Sequence, residues 1–237
     1  MLNLQSLHEQ IYRFLRNEMQ KGELFPGDDV DIKKISERLG VSRTPVRDAL
    51  IQLHVEGFVS ISPRRGVKVN GLTIKDVKNL YEIIGALESS VIKSVFNKLD
   101  ENKVNLLEKI NTEYRQAVIS GDFEQIYLKN LLFHNGFLDL SENGELIKVI
   151  SPFKERLYDF PRRTYLQEWE LRNSEEHQQI IDFIRKGDSD GAARMLRSVH
   201  WSFSAQENYI RRFYSLAIEE LSHRHPGLKA IEQELKG

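Results

Sequence analysis

The segment Val41–Leu50 constrains the fold of this chain more than any other stretch. Ser42 or Thr44 can cap the start of a helix, and Pro45 suits a first turn, where a missing N–H costs no helical hydrogen bond. Apolar residues then recur at helical spacing and predict a buried stripe, formed by Val46, Ala49, Leu50 and Leu53. Gly57 predicts the end of the same helix. The segment therefore predicts a short amphipathic helix with one packed face.

The N-terminal end of this predicted helix carries two arginines. Arg43 and Arg47 project there, where the helix dipole and the free N–H groups favour phosphate. The net charge of the whole chain is only −1, but residues 42–69 hold five cations against two anions: Arg43, Arg47, Arg64, Arg65 and Lys68 against Asp48 and Glu56. A local basic surface of this kind is typical of a module that reads DNA.

Patterns on both sides of this helix predict a winged helix-turn-helix. Two amphipathic helices precede it, and the second closes at Gly40, so that residues 40–42 form the turn between helices. Apolar alternation at residues 58–61 and 67–69 then predicts a β-hairpin. Its turn, residues 63–66, carries two arginines and forms the tip of the wing.

From Thr73 onward the chain predicts helices throughout. The first is long and carries Glu88 on its apolar stripe, and later patterns cover roughly 102–120, 123–140, 144–168, 175–186 and 189–222. We therefore predict a mainly α protein with three parts. These are an N-terminal winged helix-turn-helix domain at 1–72, a C-terminal all-α helical bundle at 73–222 and a flexible tail at 223–237.

The composition is that of a folded protein, with 40% hydrophobic and 29% charged residues. Apolar runs are too short for a transmembrane span, and the start of the chain does not resemble a signal peptide. Because the chain has no cysteine, disulfides, thiolate metal sites and cysteine nucleophiles are excluded. We expect a cytoplasmic protein without a membrane partner.

Three histidines on separate predicted helices form a second candidate site. His134, His177 and His200 each stand beside apolar helix positions, so their imidazoles are predicted to point into the bundle. Asn130 lies four residues before His134 and shares its helix face. Three imidazoles in a helical cavity suit a divalent metal, with Zn²⁺ first and Ni²⁺, Mn²⁺ or Co²⁺ as alternatives. The spacing alone is a weak signal for a metal site, because any chain with seven histidines offers such triples and ordinary packing residues are the commoner case.

The basic residues of the N-terminal half suit defined roles on DNA. Arg43 and Arg47 are placed for bidentate hydrogen bonds to guanine in the major groove. Contacts to phosphate that fix the register suit three further residues, Lys33, Ser42 and Thr44. The wing tip at Arg64, Arg65 and Gly66 suits the adjacent minor groove, where glycine permits close backbone approach. The alternative is a winged helix that binds another protein and leaves its arginines solvated.

The N-terminal motif resembles the DNA-binding domain of the GntR superfamily of transcription regulators. The resemblance covers about residues 5–70 and rests on Phe25-Pro26-Gly27, the segment 35–50 and Glu56-Gly57-Phe58. It implies a homodimeric repressor or activator that places two winged helices on a palindromic double-stranded DNA operator. The DNA-contacting residues implied by the resemblance are Lys33, Ser42, Arg43, Thr44, Arg47, Arg65 and Gly66.

The helical half resembles the FCD type of effector and dimerisation domain in the FadR group of this superfamily. There an Asp-x3-His pair and two later histidines bind a divalent metal, a pattern that maps onto Asn130, His134, His177 and His200. Asn130 stands at the usual aspartate position. A neutral amide oxygen is a weaker ligand than a carboxylate, so we expect Asn130 to coordinate weakly or through water.

The first long helix departs from the family at the position that contacts the effector. Many relatives carry an arginine there that reaches the carboxylate of a small-molecule effector, whereas this chain has Ile84 and Gly85. Arg162 or Arg163 can replace that arginine, so a carboxylate stays one option for the effector. Glu88 is either a buried partner for a cation or a partly exposed residue at the helix edge.

Three function hypotheses follow. The first is a ligand-responsive, sequence-specific transcription regulator, with repression as the favoured sign and no enzymatic activity. The second is a metal-dependent enzyme that uses the three-histidine site, but a general base is not evident there. Asn130 is neutral, and Glu176, which adjoins His177 in the sequence, is expected to point elsewhere on its helix. The third hypothesis is a regulator in which the metal is structural only.

Overall fold

A computed structural model describes residues 6–159 and 165–224 of the 237-residue chain. The chain divides into two compact units, one made of Met1–Thr73 with Glu220–Gly237 and the other of Ile74–Glu219. Helices dominate both units, and a two-stranded sheet follows the third helix of the first unit. The predicted fold class is confirmed. Residues 162 and 163, and all but the first two residues of the predicted tail, lie outside the described residues.

The first unit consists of three helices and a hairpin. They are α1 (Leu7–Lys21), α2 (Ile32–Leu39), α3 (Arg43–Val55), β1 (Val59–Ser62) and β2 (Gly66–Val69). The Asp31 carboxylate accepts hydrogen bonds from the first N–H groups of α2, and Gly40 ends that helix in the left-handed conformation. The predicted stripe of α3 is fully buried in one hydrophobic cluster with Ile11 and Leu15 of α1.

The start of α3 differs from the prediction in one detail. Ser42 occupies the N-cap position, but its side chain makes no cap hydrogen bond, and Thr44 lies inside the first turn. The predicted hydroxyl cap is therefore wrong. The predicted end of the helix is confirmed, because α3 stops at Val55 and Gly57 follows with a φ of 84°.

The wing is a short antiparallel hairpin that closes over the core of the first unit. Its register runs from Val59 opposite Val69 to Ser62 opposite Gly66. The N–H of Arg65 donates to the Ser62 carbonyl at 3.1 Å and closes the turn. The valines face the core, so the turn and its arginines are left to solvent.

The second unit is built from seven helices in the described residues. They are α4 (Ile74–Ser94), α5 (Glu101–Ser120), α6 (Phe123–Leu138), α7 (Gly144–Asp159), α8 (Gln167–Arg185), α9 (Ser189–Met195) and α10 (Phe203–Arg224), with a 3₁₀ turn at Phe96–Lys98 and a π-helical turn at Leu196–His200. The central helix α4 packs against α6, α7, α9 and the π-helical turn. No described helix is long and apolar enough to cross a membrane.

The predicted bounds of the middle helices are wrong. The helix predicted at 144–168 ends as α7 at Asp159, and α8 begins at Gln167, well before the predicted start at 175. Two features extend α8 at its N-terminal end. Acidic residues stand in its first turn, where the helix dipole favours them, and the ion pair between Arg172 and Glu176 bridges one helical turn. Pro152 lies inside α7.

The single helix predicted at 189–222 is divided in the structure. The short helix α9 leads into the π-helical turn. The helical conformation is interrupted at Trp201 and Ser202, and α10 follows. Turns of this kind are rare, and they are frequently found at functional sites. Here the turn ends on His200, one of the three candidate ligands.

Candidate DNA-binding surface and buried histidine site

The predicted DNA-contacting residues of α2 and α3 are all exposed. Arg43 and Arg47 lie one turn apart at the N-terminal end of α3, and within the described part of the chain neither takes part in an ion pair. Ser42 and Thr44 flank Arg43, and Lys33 lies in the first turn of α2. The missing cap leaves the Ser42 hydroxyl without a bond to the helix, in a place where phosphate oxygens are favoured.

The wing tip presents arginines on a constrained turn. Arg64 adopts a φ of 65° and Gly66 a φ of 87°, and residues 64–66 are all exposed. The left-handed region costs a residue other than glycine about 1–2 kcal/mol. A Cβ added to Gly66 would meet nothing within 4 Å, so backbone conformation and not packing favours glycine there. The sequence pattern predicted the tip at residues 64–66, whereas the family resemblance named only Arg65 and Gly66; neither predicted the left-handed conformation of Arg64.

The three predicted histidines come together inside the second unit. His134 on α6, His177 on α8 and His200 at the end of the π-helical turn are all buried, and one nitrogen from each lies within 4.8 Å of the others. The Nε2 atoms of His134 and His200 are 3.3 Å apart. His177 stacks on the ring of Phe133, with the ring centroids 3.8 Å apart.

Glu88 binds the Nδ1 atom of His134, the ring nitrogen that does not face His200. Its Oε2 accepts hydrogen bonds from His134 Nδ1 at 2.8 Å and from the indole N–H of Trp201 at 2.7 Å, and its Oε1 accepts one from Lys154 Nζ at 2.8 Å. Burial alone would raise the pKa of Glu88, but His134 and Lys154 hold it below its ordinary value. Of the two alternatives left open by the sequence, the structure shows the buried partner of a cation.

Glu176 holds His200 in the same way. The Glu176 Oε2 lies 2.9 Å from His200 Nδ1, and the other contacts of this carboxylate are with Arg172 and Gln206. Burial raises the pKa of Glu176, yet its hydrogen-bond partners lower it below the ordinary value. The expectation that Glu176 points away from the site is therefore wrong. Its carboxylate is bound to the outer nitrogen of His200 and orients that ring.

The hydrogen bonds leave the centre of the cluster rich in acceptors. An ionised carboxylate only accepts, so the Nδ1 atom of each ring carries a proton, and the neutral form of either ring would present the lone pair of its Nε2 atom to the other ring. Burial, opposed by Glu88, lowers the pKa of His134 to about 4, so this ring is neutral at neutral pH. Among the described residues, the two ring nitrogens of His177 have no hydrogen-bond partner, and the Asn130 Oδ1 has none either.

These residues fit a divalent metal ion. Two nitrogens bound to tetrahedral zinc at about 2.0–2.1 Å are separated by about 3.3 Å, which matches the separation of the two Nε2 atoms. Ligand histidines typically donate their other N–H to a carboxylate or carbonyl, as His134 and His200 do. One proton between the two Nε2 atoms would satisfy that pair and leave His177 and Asn130 without partners. A metal ion would bind both Nε2 atoms and one nitrogen of His177 together.

A cavity adjoins this cluster. Its lining includes His200, Asn130 and Trp201, and the centre of a water molecule can occupy about 110 Å³ of it. One water needs about 10–15 Å³ on this measure, so the space suits a small organic molecule or several waters. A Cβ on Gly85 would meet the Trp201 Cβ at 2.9 Å. Because glycine has no side chain, Trp201 can approach α4 closely enough to donate its hydrogen bond to Glu88.

The supporting residues of the cluster were missed by sequence reasoning. They are Lys154, Trp201 and Gln206, and in the sequence each looks like an ordinary surface or core residue of its helix. One signal was available for Lys154. A buried Glu88 on the apolar stripe of α4 requires a cation, and Lys154 is one of the cations of the helix predicted at 144–168.

The fold and the two sites define a class of protein, a winged-helix regulator with a separate helical sensor unit. The chain belongs to the GntR family and carries an FCD domain. The family described as "Bacterial regulatory proteins, gntR family" matches residues 7–69, and the "FCD domain" matches residues 79–200. It is thus a GntR-family transcriptional regulator with an effector-binding domain, and regulators of this family bind DNA operators.

Similar proteins agree with this assignment. The chain is 28% identical over 186 residues to the "Uncharacterized HTH-type transcriptional regulator YdhC" of Bacillus subtilis, covering 77% of this chain and 83% of that one. It is 26% identical over 212 residues to the "HTH-type transcriptional repressor RspR" of Escherichia coli, covering 88% and 92%. The solved structure of E. coli McbR/YncC shares the fold, with a TM-score of 0.69 at 22% identity over 90% of this chain and 99% of that one.

Proposed function

We propose that this protein is a ligand-responsive repressor of the FadR group that acts as a homodimer on a palindromic operator. The observation that carries the DNA-binding part is the exposed pair Arg43 and Arg47 at the tip of a helix whose opposite face is fully buried. Their side chains reach the major groove while Lys33, Ser42 and Thr44 bind phosphate and the wing tip enters the minor groove. Repression is supported by the relative that carries the name of a repressor.

The helical unit is proposed to bind one divalent metal, preferably Zn²⁺, through His134, His177 and His200. When bound, the ion supplies an open coordination position for an oxygen of a small-molecule effector, such as a carboxylate. Glu88 and Glu176 fix the two rings in the tautomer that presents Nε2 to the ion. Asn130 contributes a weaker oxygen contact, direct or through water.

Effector binding is proposed to change the population of DNA-binding states. A ligand shifts such an equilibrium only by its differential affinity for the two states, so the cavity beside the histidines must differ between them. We assign no catalytic role to the site, because the relatives are named as regulators and both neighbouring carboxylates are engaged with Nδ1 atoms.

The DNA-binding role is tested by selecting binding sites from a random pool of double-stranded DNA with the full-length protein. We expect a palindromic sequence with guanine in each half-site. Arg43→Ala should lose selection at one base position per half-site, whereas Arg115→Ala, an exposed arginine of α5, should select the same palindrome as the natural chain. Recovery of no common sequence by the natural chain would contradict the proposal.

The metal site is tested by elemental analysis after zinc loading and dialysis. We expect about one ion per chain, and loss of most of it in His177→Phe. Phenylalanine keeps the stack on Phe133 but removes the two unpartnered nitrogens, so the apo protein should fold at least as stably. His54→Phe, at an exposed position, is the matched control. Equal zinc content in His177→Phe and the natural chain would reject the site.

A further inference from the structure

The cavity beside the histidines has aromatic walls. Nine of the sixteen lining residues are tyrosine, tryptophan or phenylalanine, including Tyr81, Tyr158, Trp169 and Trp201, and none of these described lining residues is lysine or arginine. Aromatic faces carry partial negative charge and attract cations within about 6 Å of a ring centroid. The walls are therefore better matched to a positively charged group than to an anionic one.

One carboxylate enters this lining. Glu170 stands in the first turn of α8, and its Oε2 accepts hydrogen bonds from the Tyr114 hydroxyl and from the Asn173 amide at 3.2 Å. Both bonds end on Oε2, so Oε1 is left for a ligand. Within the described residues, Glu170 has no lysine or arginine partner, in contrast to Glu88 and Glu176. Burial raises its pKa above the ordinary value, against those hydrogen bonds, so the ionised carboxylate is destabilised there.

Two further polar groups of the lining are poorly satisfied. The Asn130 Oδ1 is buried without a partner among the described residues, and the Tyr158 hydroxyl lies beside the Asn130 side chain without a well-formed hydrogen bond. Buried polar groups are satisfied in most native structures, so unpartnered ones in a cavity wall indicate a ligand or ordered water. A ligand oxygen can accept from Tyr158.

We propose that the effector carries an ammonium group and that Glu170 Oε1 and the aromatic rings bind it. This inference rests on the proposed function, because it names the chemical class of the effector in the same cavity. Along α8, Glu170 lies two turns, or about 10 Å, from His177. An amino acid with a terminal amine and four to six carbons spans the distance from Glu170 to the histidine end, where its carboxylate and the metal ion meet.

The test uses matched ligands on the metal-loaded, full-length protein. The probes 4-aminobutyrate, pentanoate and glutarate share one carboxylate and differ at the other end, which is ammonium, methyl or carboxylate. The second set, 6-aminohexanoate, heptanoate and pimelate, repeats the comparison with two more methylenes. We expect an amine probe to raise the melting temperature at about tenfold lower concentration than its methyl counterpart, the effect of a charged hydrogen bond.

Two variants of α8 assign the preference to one side chain. Glu170→Gln keeps the size and the bonds to Tyr114 and Asn173, and it should abolish the preference for the amine while binding of the methyl probe is unchanged. Glu175→Gln, at an exposed position of the same helix, should retain the preference. Retention of the amine preference in Glu170→Gln would overturn the assignment.

Other outcomes also decide the question. Equal or tighter binding of the methyl or dicarboxylate probe, or no shift by any probe of either length, would overturn the proposal. A dicarboxylate preference that disappears in the double variant Arg162→Ala/Arg163→Ala would show that the effector is an acid held by arginine. Operator binding by the natural chain, measured on the same preparations, separates the two proposals. If the protein binds no operator, the proposed regulatory function is rejected, but the melting temperatures still show whether the cavity prefers an ammonium group.

Discussion

The two candidate sites of this molecule differ in how they relate to the hydrophobic core. In the first unit, the DNA-contacting side chains are exposed, and the core beneath α3 is complete without them. In the second unit, the candidate ligands and their supports are buried, and they come from α4, α6, α7, α8, α10, the π-helical turn and Trp201, which follows that turn. Substitutions at the site of the first unit should therefore change DNA binding without changing stability, whereas substitutions at the site of the second unit should change ligand binding and stability together.

The largest effect is expected at the buried pair Lys154 and Glu88. Lys154→Met removes the cation and leaves the Glu88 carboxylate buried, with only His134 and Trp201 as partners. Removal of one member of a buried ion pair costs about 3–5 kcal/mol. We expect a loss of that order in the free energy of unfolding, measured by urea denaturation of the metal-free protein.

The double variant Lys154→Met/Glu88→Gln is the control for this pair. It neutralises both partners, so it should recover part of the stability that Lys154→Met loses, and the double-mutant cycle gives the coupling energy. Additive effects of the two substitutions would show that the two side chains are not coupled, and the contrast between the two sites would be weakened.

A smaller loss is expected from Gly85→Ala on α4. The added Cβ would meet Trp201 at 2.9 Å and force the turn away from the helix, and overpacking of this kind costs about 1–3 kcal/mol. Because Trp201 donates to Glu88, the displacement should also reduce zinc retention. Gly144→Ala, at a helix start with open space, is the control. An unchanged unfolding midpoint and zinc content in Gly85→Ala would contradict the role of this close approach.

In the first unit, Arg47→Ala should affect binding alone. Loss of one bidentate contact to guanine weakens operator binding by about 1–3 kcal/mol, whereas exposed substitutions change stability by about 0.5 kcal/mol or less. Fluorescence anisotropy on the selected operator and thermal unfolding of the same sample measure the two quantities. A clear fall in melting temperature would show that Arg47 supports the fold, and unchanged affinity would remove it from the interface.

The sequence predicted the two sites to different depths for a physical reason. The α3 signal is contiguous, because cap, stripe and arginines fall within one helix, and its exposed face needs no tertiary partner to be recognised. The histidines could be selected as residues that point inward, but their mutual distances depend on how four helices pack. The π-helical turn that presents His200 breaks the 3.6-residue period, so a pattern of that period predicted one helix at 189–222 instead of two.

The partners of the histidines were harder still to predict. Lys154 lies 66 residues from Glu88 in the sequence and Gln206 lies 30 residues from Glu176, and no local pattern links either pair. Adjacent residues of an α-helix point about 100° apart, and this spacing alone predicted that Glu176 points away from the site of His177. The long glutamate side chain instead turns around the helix and reaches His200 on another element.

The smallest effect is expected from Arg64→Gly in the wing, a change that separates the backbone strain at Arg64 from a contact of its side chain with DNA. Arg64→Gly should stabilise the first unit by up to about 1 kcal/mol, because glycine adopts the left-handed region without the penalty that Arg64 bears. The same change removes an exposed cation from the tip, so the slope of operator affinity against salt concentration should fall by about one phosphate contact. Thermal unfolding and anisotropy titrations at several salt concentrations measure both. A stabilised variant with an unchanged salt slope would show that the turn holds Arg65 toward DNA and leaves Arg64 in solvent.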